Sequence, residues 1–373
     1  MLRFSRYRPA VVAALAGAVA LSNACSSSST GPSSSAGSVS VAAAASGGSG
    51  KTVGAATLRL GYFANVTHAG AVLGVADGTF AKALSPTKLE PQVFNAGPAA
   101  IEALNADAID AAFLGPSPAI NSFVKSHGDS LRIVAGATEN GAALVVRPGV
   151  RSAADLKGKS IASPQLGGTQ DVALREYLLH NGLKVQTNGG SDVDIINQDN
   201  AQTLTLFKSG QIDGAWLPEP WASRLVLDAG AKVLVDEATL WPNKQFPTTI
   251  LIVAKKFLDA HPDTVTALIS GELGAVKKIT ADPKGSADAV NTAIGKLTGK
   301  KLSDAVVSNS FKQIKITYDP VASTYNTSSQ HAVDSGLLKT VPDLKGIFDL
   351  RILNKLLKAE GKSPVSAAGL GQE

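Results

Sequence analysis

The fold is indicated by residues 109–119, IDAAFLGPSPA, which return 103 positions later in altered form as residues 212–222, IDGAWLPEPWA. Each copy has an isoleucine and an aspartate, then a short apolar stretch that predicts a buried strand, then a turn with two prolines. The match extends upstream, where Ile101 corresponds to Leu204. A strand–turn–helix unit that is used twice predicts two similar lobes with a cleft between them.

The first 25 residues have the pattern of an export signal. Arg3, Arg6 and Arg8 precede an apolar run over residues 10–21, and Cys25 follows directly after a small residue. The run is too short to cross a hydrocarbon layer of roughly 30 Å. It therefore predicts a secretory signal rather than a membrane span.

Cys25 is the single cysteine in the 373 residues, which excludes an intramolecular disulfide. A cysteine in this place resembles the lipid-attachment site of bacterial lipoproteins, which implies that it becomes the acylated N-terminus. The sequence departs from that pattern at Ser22, where an apolar residue is usual. We expect a lipoprotein anchored to the outer face of the cell membrane; a plain secretory signal with an incidental cysteine is the alternative.

A tether is expected after the cysteine. Residues 26–50 are mostly serine, glycine and alanine and carry no charge. Such a segment buries too little apolar surface to offset the loss of chain entropy. The composition therefore predicts a disordered linker over residues 26–55.

The charge of the chain gives no sign of a nucleic-acid partner. Three of the five net positive charges come from arginines before Cys25, so the remaining chain carries only +2. We find no stripe of basic residues with interleaved aromatic residues, which is the usual pattern of a nucleic-acid surface.

Apolar strands alternate with short helices from residue 57 to about residue 235, which predicts α/β lobes on mainly parallel sheets. Two further apolar strands, residues 143–147 and 249–253, bracket the second unit, and we expect them to run side by side between the lobes. The expected division is lobe I (first part) at 56–142, crossover strands and lobe II at 143–250, the return to lobe I with C-terminal helices at 251–360, and a frayed tail at 361–373.

Six motifs follow one another along the chain. They are LGYF at 60–63, AFLGPSP at 112–118, VRSAADLKGK at 150–159, GGTQ at 167–170, GQIDGA at 210–215 and PEPW at 218–221. Together they resemble the nitrate, sulfonate and taurine branch of the substrate-binding proteins of ABC importers. The resemblance implies a periplasmic-binding-protein-like (type II) fold with two α/β lobes, two crossover strands and a helix-rich C-terminal third. It also implies a monomer that captures a small solute and delivers it to an ABC permease in the membrane.

Four turns are expected at the carboxyl ends of strands, where α/β sheets bind their ligands. The predicted ligand-binding residues in these turns are Asn65, Thr67, His68, Gly115, Pro116, Ser117, Gly167, Gly168, Thr169, Gln170, Glu219 and Trp221. Each turn leads into a helix, whose N-terminus offers unpaired N–H groups and about half a positive charge. Because the turns contain no Lys or Arg, we expect the helix ends to hold a sulfonate, nitrate or carboxylate.

Individual residues have more than one interpretation. Ser117 precedes Pro118 and is expected to cap its helix, with or without a ligand contact. His68 either donates a hydrogen bond to an anion or is a solvated loop residue. Trp221 is the expected ligand wall, whereas Trp216 alternates within its strand and is expected in the core.

Glu219 bears on the choice of solute. A carboxylate beside a bound anion costs energy. The side chain therefore either turns away to pair with a cation such as Arg224, or it binds the amine of a zwitterion. Taurine would satisfy both the helix ends and this carboxylate, so the solute class stays open among sulfonates, taurine and nitrate.

The sequence predicts a binding protein rather than an enzyme. The five histidines are scattered without metal-ligand spacing, and we find no Ser-His-Asp order and no P-loop. We therefore expect no metal and no cofactor. The alternative is a binder or synthase of a thiamine-pyrimidine precursor on the same fold, although the export signal argues against a cytoplasmic synthase. The expected mechanism is hinge closure around the solute.

Overall fold

The computed structural model describes residues 54–187 and 189–373. The predicted signal peptide, Cys25 and nearly all of the predicted tether lie outside these residues. Across the part of the chain that is described, no helix is both long and apolar enough to span a membrane. Within the same ranges, His, Asp and Glu side chains form no group that could hold a metal ion.

Strands and helices alternate through the first two thirds of the described chain, and helices dominate the rest. The strands are β1 (Thr57–Phe63), β2 (Lys88–Phe94), β3 (Ala111–Leu114), β4 (Leu131–Asn140), β5 (Ala142–Val146), β6 (Ser160–Ser163), β7 (Asp194–Asn197), β8 (Gly214–Pro218), β9 (Lys232–Asp236), β10 (Pro247–Ala254), β11 (Ile314–Ile316), β12 (Phe348–Asp349) and β13 (Gly371–Gln372). The helices are α1 (Ala69–Ala76), α2 (Thr79–Leu84), α3 (Gly97–Asn105), α4 (Pro116–Lys125), α5 (Thr169–His180), α6 (Asn200–Lys208), α7 (Trp221–Ala229), α8 (Lys255–Ala260), α9 (Pro262–Ala281), α10 (Pro283–Thr298), α11 (Asp304–Gln313), α12 (Tyr325–Asp334) and α13 (Arg351–Ala359).

The strands form one sheet in each lobe. The sheet of lobe I has the order β13-β12-β4-β10-β3-β1-β2, with β11 paired to β4, and the sheet of lobe II has the order β7-β6-β8-β5-β9. Strand β1 runs parallel to β2 and β3, and β6 runs parallel to β7 and β8. Strands β5 and β10 run antiparallel to their neighbours. The two predicted α/β lobes are confirmed, and their sheets are mixed rather than mainly parallel.

The duplicated segment occupies equivalent places in the two sheets. Its strands, β3 and β8, are buried along their whole length, and each lies between a parallel strand and an antiparallel one. The aspartates of the two copies also act alike. Asp110 accepts a hydrogen bond from the Arg59 backbone N–H of β1 (2.8 Å), and Asp213 accepts one from Ser160 N–H of β6 (3.0 Å). Both aspartates therefore tie the duplicated strand to its parallel neighbour.

The chain crosses between the lobes twice, and the two crossings lie side by side. Asn140 donates its backbone N–H to the carbonyl of Phe246 (3.0 Å), and Phe246 N–H donates to Asn140 Oδ1 (3.4 Å). Gly141 has a φ of 78°, which lets the chain turn sharply here. The expectation that residues 143–147 and 249–253 run side by side is wrong, because each strand lies in the sheet of its own lobe, β5 between β8 and β9 and β10 between β3 and β4.

The C-terminal part returns to lobe I, and the end of the chain is ordered rather than frayed. Gly371 pairs with Phe348 of β12. The side chain of Asn354 accepts a hydrogen bond from Val365 N–H (2.7 Å) and donates one to its carbonyl (2.9 Å). Val365 and Ala367 are buried. These hydrogen bonds and the two buried side chains hold in place the residues that we expected to be a frayed tail. The buried side chains form no periodic pattern in the sequence, which is why the order was not predicted.

Candidate functional site

A small cavity lies between the lobes, where turns after strands of both sheets meet. Its volume is about 30 Å³, roughly twice what one water molecule requires. We call it the cleft cavity. Seven predicted residues line it: Asn65, Thr67, His68, Gly115, Gly168, Thr169 and Gln170. The other predicted residues, Pro116, Ser117, Gly167, Glu219 and Trp221, lie nearby without lining it.

Part of the wall is formed by residues that were not predicted from the sequence. Asn95, Gly97, Asn200 and Thr248 also line the cleft cavity. Asn95 follows β2 and Asn200 follows β7, which are edge strands. The rule that candidate ligand residues follow the carboxyl ends of strands, which we applied to inner strands, therefore also holds for these two. The offset of 103 residues, which pairs Gly97 with Asn200, was a second signal for them. Thr248 lies on β10 and depends on how the chain crosses between the lobes, which has no local signature.

Four helices begin at or directly beside the cleft cavity: α3 at Gly97, α5 at Thr169 and α6 at Asn200, and α4 at Pro116, which follows the lining residue Gly115. In the described chain, none of these N-termini is capped by a side chain. Uncapped N-termini leave backbone N–H groups without partners and carry partial positive charge. The site thus offers hydrogen-bond donors to a negatively charged group.

Helix α4 contributes its dipole but few donors. Pro116 and Pro118 have no N–H, and Ser117 N–H donates to Thr169 Oγ1 of lobe II (3.4 Å). The helix begins at Pro116 with Gly115 in the N-cap position. The expectation that Ser117 caps this helix is therefore wrong, because the helix starts one residue before it.

His68 is buried and neutral. Its Nδ1 accepts a hydrogen bond from Phe63 N–H (3.3 Å), and its ring packs on the Phe63 ring with 4.3 Å between centroids. Burial lowers the pKa of His68 to about 3. The imidazole is therefore uncharged at physiological pH, and because Nδ1 accepts, Nε2 carries the proton and is the donor available to the cavity.

Three more polar side chains present groups to the cleft cavity. Thr67 Oγ1 and Asn200 Oδ1 are buried and have no hydrogen-bond partner in the described residues. Asn65 Oδ1 accepts from Trp221 Nε1 (2.8 Å), which leaves the Asn65 amide N–H groups to the cavity. Buried polar groups without partners are costly, so they mark places where a ligand would supply the missing bonds.

Glu219 faces away from the cleft cavity and joins the lobes. Its Oε2 accepts from Ser223 N–H (3.2 Å) and from the hydroxyl of Ser310 on α11 (2.9 Å). Burial raises the pKa of Glu219, and these hydrogen bonds oppose that shift. The side chain turns away, as one interpretation expected, but it does not pair with Arg224, whose guanidinium lies over the Trp221 ring at 4.5 Å.

Further hydrogen bonds connect the lobes on both sides of the cavity. Thr67 N–H donates to the Glu219 carbonyl (3.2 Å), and Asn309 Nδ2 donates to Ser223 Oγ (2.8 Å). On the other side, Asn95 Nδ2 donates to Asp199 Oδ2 (3.2 Å). These bonds hold the two lobes in a closed arrangement.

A larger cavity of about 690 Å³ opens outside the cleft cavity, and Asn65, Asn95 and Asn200 line both. We call it the basic vestibule. Its charged lining residues are Lys208, Arg224, Lys300, Lys301, Asp199 and Asp228, so the cations outnumber the acids. Trp221 lies in this wall rather than in that of the cleft cavity. Trp216, in contrast, is fully buried in the core of lobe II, as expected.

Known proteins resemble this chain in sequence and in fold. It is 28% identical over 208 residues to the taurine-binding periplasmic protein of Escherichia coli, and the match covers 56% of this chain but only 62% of that protein. The chain thus spans less than two thirds of the length of this relative. The alkanesulfonate-binding protein of Xanthomonas axonopodis bound to MOPS has a TM-score of 0.64 at 23% identity, covering 78% of this chain and 96% of that chain.

The periplasmic nitrate-binding protein of Synechocystis has a TM-score of 0.64 at 17% identity and covers 77% of this chain and 83% of that chain. At these identities, the structural similarities show a shared fold. The predicted resemblance to nitrate-, sulfonate- and taurine-binding proteins is confirmed. Because the model of the NMT1-like family matches residues 51–294, more than half of the chain, the protein belongs to the NMT1-like family.

Proposed function

We propose that this protein is the extracytoplasmic solute-binding component of an ABC importer, and that it captures a small anionic or zwitterionic solute of the sulfonate, taurine or nitrate class. The observation that carries the proposal is the cleft cavity, where four uncapped helix N-termini meet and where no Lys or Arg of the described residues lies in the wall. Such ends favour an anion through backbone N–H groups and dipole charge.

Neutral side chains complete this environment. In the proposal, His68 Nε2–H, the Asn65 amide and the Thr67 hydroxyl bind the solute from lobe I. Gly168, Thr169, Gln170 and Asn200 bind it from lobe II. Because both lobes contribute, the solute has more partners when the lobes close on it than in the open form, and its binding shifts the population toward closure. The cleft cavity has a volume of about 30 Å³, so a solute as large as taurine needs the lobes slightly further apart than they are here.

The acceptor in this site favours a zwitterion over a simple anion. Asn200 Oδ1 is buried without a partner in the described residues, so a solute that also has an N–H donor gains one more hydrogen bond. An amine next to a sulfonate, as in taurine, has this combination. Glu219 plays no part in binding the amine in this proposal; with Trp221, it stabilises the closed form.

The basic vestibule supports the same solute charge. A mouth with an excess of Lys and Arg raises the local concentration of anions and their association rate. The proposal places the protein outside the cytoplasm, held to the membrane by lipid on Cys25 and by the tether, with an ABC permease recognising the closed monomer. The relatives named for taurine, alkanesulfonate and nitrate are binding proteins.

Calorimetry of the purified protein tests the proposal with four solutes: taurine, ethanesulfonate, nitrate and ethanolamine. We expect at least one of the first three to bind with a micromolar Kd, which corresponds to about −8 kcal/mol, and ethanolamine to show no binding. Asn200→Ala should weaken binding at least tenfold, with a larger loss for taurine than for ethanesulfonate.

The matched control is Gln202→Ala, which changes an exposed residue on the same helix and should leave the affinity unaltered. Absence of binding by taurine, ethanesulfonate and nitrate would contradict the proposal. Equal effects of Asn200→Ala and Gln202→Ala would show that the solute binds elsewhere.

A further inference from the structure

A second cavity, of about 200 Å³, lies between the lobes beside the two crossings. Thr169 lines this cavity and the cleft cavity, and its hydrogen bond from Ser117 N–H separates the two spaces. Phe246 and Pro247 of the second crossing form part of the wall. We call this space the hinge-side pocket.

Several aromatic rings lie in the wall of the hinge-side pocket. Tyr177, Trp241, Phe246 and His331 all line it. The Trp241 ring stacks on Phe246 with 6.0 Å between centroids, and it lies 5.4 Å from the His331 ring. The faces of aromatic rings carry negative charge density and attract cations, most strongly for tryptophan.

Two glutamates and two histidines line this pocket. They are Glu176, Glu237, His180 and His331, and neither Lys nor Arg lines it among the described residues. Glu176 Oε2 is buried and has no hydrogen-bond partner in that part of the chain, whereas Glu237 Oε2 accepts from Trp216 Nε1 (2.7 Å). Burial raises the pKa of Glu237 to about 7, so Glu176 is the carboxylate with which a cation would pair, and the cation would give its Oε2 the partner that this atom lacks.

We propose that the hinge-side pocket binds a small organic cation, an ammonium group with apolar substituents, between its aromatic rings and the Glu176 carboxylate. The aromatic wall favours such a cation over a metal ion, which prefers several oxygen ligands at short distance. This site goes beyond the proposed function, because it is separate from the cleft cavity and takes a ligand of opposite charge.

A ligand in the hinge-side pocket would also affect the closure of the two lobes. Its wall contains Ser328 and His331 of α12 in lobe I, and Glu176 and Tyr177 of α5 in lobe II. A ligand that touches both lobes binds the closed form more tightly than the open form. The organic cation and the solute of the cleft cavity therefore favour the same state, and each raises the affinity for the other.

The test uses choline as the probe and 3,3-dimethylbutan-1-ol as its uncharged isostere. We expect choline to bind the purified protein saturably by calorimetry and to change its tryptophan fluorescence, and we expect the alcohol to bind at least tenfold more weakly. Glu176→Gln, which keeps the shape and removes the charge, should weaken choline binding at least fivefold. Glu102→Gln, at an exposed glutamate of α3, is the matched control.

Trp241→Leu is a second variant, which removes an aromatic ring of the wall and should also weaken choline binding. The melting temperature of each variant checks that it is folded. Equal binding of choline and the alcohol, or unchanged choline affinity in Glu176→Gln, would overturn the proposal, and so would absence of choline binding. Solute binding to the cleft cavity is measured in the same Glu176→Gln protein and should persist, so failure of this site is distinct from failure of the proposed function.

Discussion

Ser310 of lobe I donates its hydroxyl to the Glu219 carboxylate of lobe II with 2.9 Å between Oγ and Oε2, and both side chains are buried. The same oxygen accepts from Ser223 N–H within lobe II. Glu219 therefore has one partner on each side of the interface. A buried carboxylate that loses a partner costs about 1–3 kcal/mol, so Ser310 stabilises the closed form relative to an open one in which water replaces it.

Ser310→Ala should lower solute affinity by about fivefold, because the closed form loses roughly 1 kcal/mol relative to the open form. Calorimetric titration of the solute that the protein binds gives the change directly. Ser308→Ala is the control, since Ser308 lies on the same helix and is exposed. If both variants bind as the unaltered protein does, Ser310 has no part in closure.

Gly115→Ala should block closure while leaving each lobe folded. A Cβ at residue 115 would overlap Thr169 Oγ1 of the opposite lobe, and it would also lie 3.3 Å from the Thr248 carbonyl. The overlap with Thr169 exists only when the lobes meet, whereas the tight contact with Thr248 lies within lobe I, so we expect at least a tenfold loss of solute affinity with a small change in melting temperature. Small-angle X-ray scattering with solute should show a larger radius of gyration than for the unaltered protein.

Two further variants make this prediction specific. Gly149→Ala adds a Cβ in open space at a glycine with ordinary backbone angles, so its affinity should not change. The double variant with Thr169→Ala removes the overlapping hydroxyl and should bring the radius of gyration with solute back toward that of the unaltered protein. Scattering is the readout because Thr169 is itself a proposed solute-binding residue. A Gly115→Ala protein that binds as tightly as the Gly149→Ala protein would show that the lobes do not approach this closely in solution.

The duplicated segment predicted the architecture because the residues that specify each strand and its turn are adjacent in the sequence. An aspartate, four or five apolar residues and a proline turn specify a buried strand and its turn. Two such segments give two lobes in which β3 and β8 each lie between a parallel and an antiparallel strand. Turns after inner strands likewise predicted Asn65, His68, Thr169 and Gln170 at one cavity.

Features that depend on long-range contacts were not predictable from the sequence. The partner of Glu219 is Ser310, 91 residues away, in a helix without any motif. The place of β10 next to β3 follows from the path of the chain through the second crossing rather than from its apolar pattern. Ser117 was expected as a cap because a serine followed by Pro118 is a common start of a helix. The helix instead begins at Pro116, one residue before Ser117.

Glu272 of α9 is an ionisable group that the proposed function does not use. It is fully buried against α1, where a Cβ at Gly70 would lie 3.1 Å from its Oε1, and both carboxylate oxygens are without hydrogen-bond partners in the described residues. Burial raises the pKa of Glu272 to about 8 from an ordinary value of 4.5. The carboxyl group is therefore protonated in the folded protein at neutral pH.

The pKa of Glu272 makes stability depend on pH in a defined direction. Between pH 4.5 and 8 the folded state holds a proton that the unfolded state has released. The contribution of this group to stability is therefore complete below pH 4.5 and is lost as the pH rises through 8. Glu272→Gln has no proton to lose, so the free energy of unfolding should fall less between pH 5 and pH 9 than in the unaltered protein, by roughly 4 kcal/mol.

Urea unfolding at pH 5, 7 and 9 measures this difference. The control is Glu360→Gln, at an exposed glutamate near the end of α13, which should follow the pH dependence of the unaltered protein. If Glu272→Gln and Glu360→Gln lose stability in parallel as the pH rises, Glu272 is not the group that holds the proton. If Glu272→Gln is the flatter of the two, a neutral carboxyl group between α1 and α9 is part of the native fold.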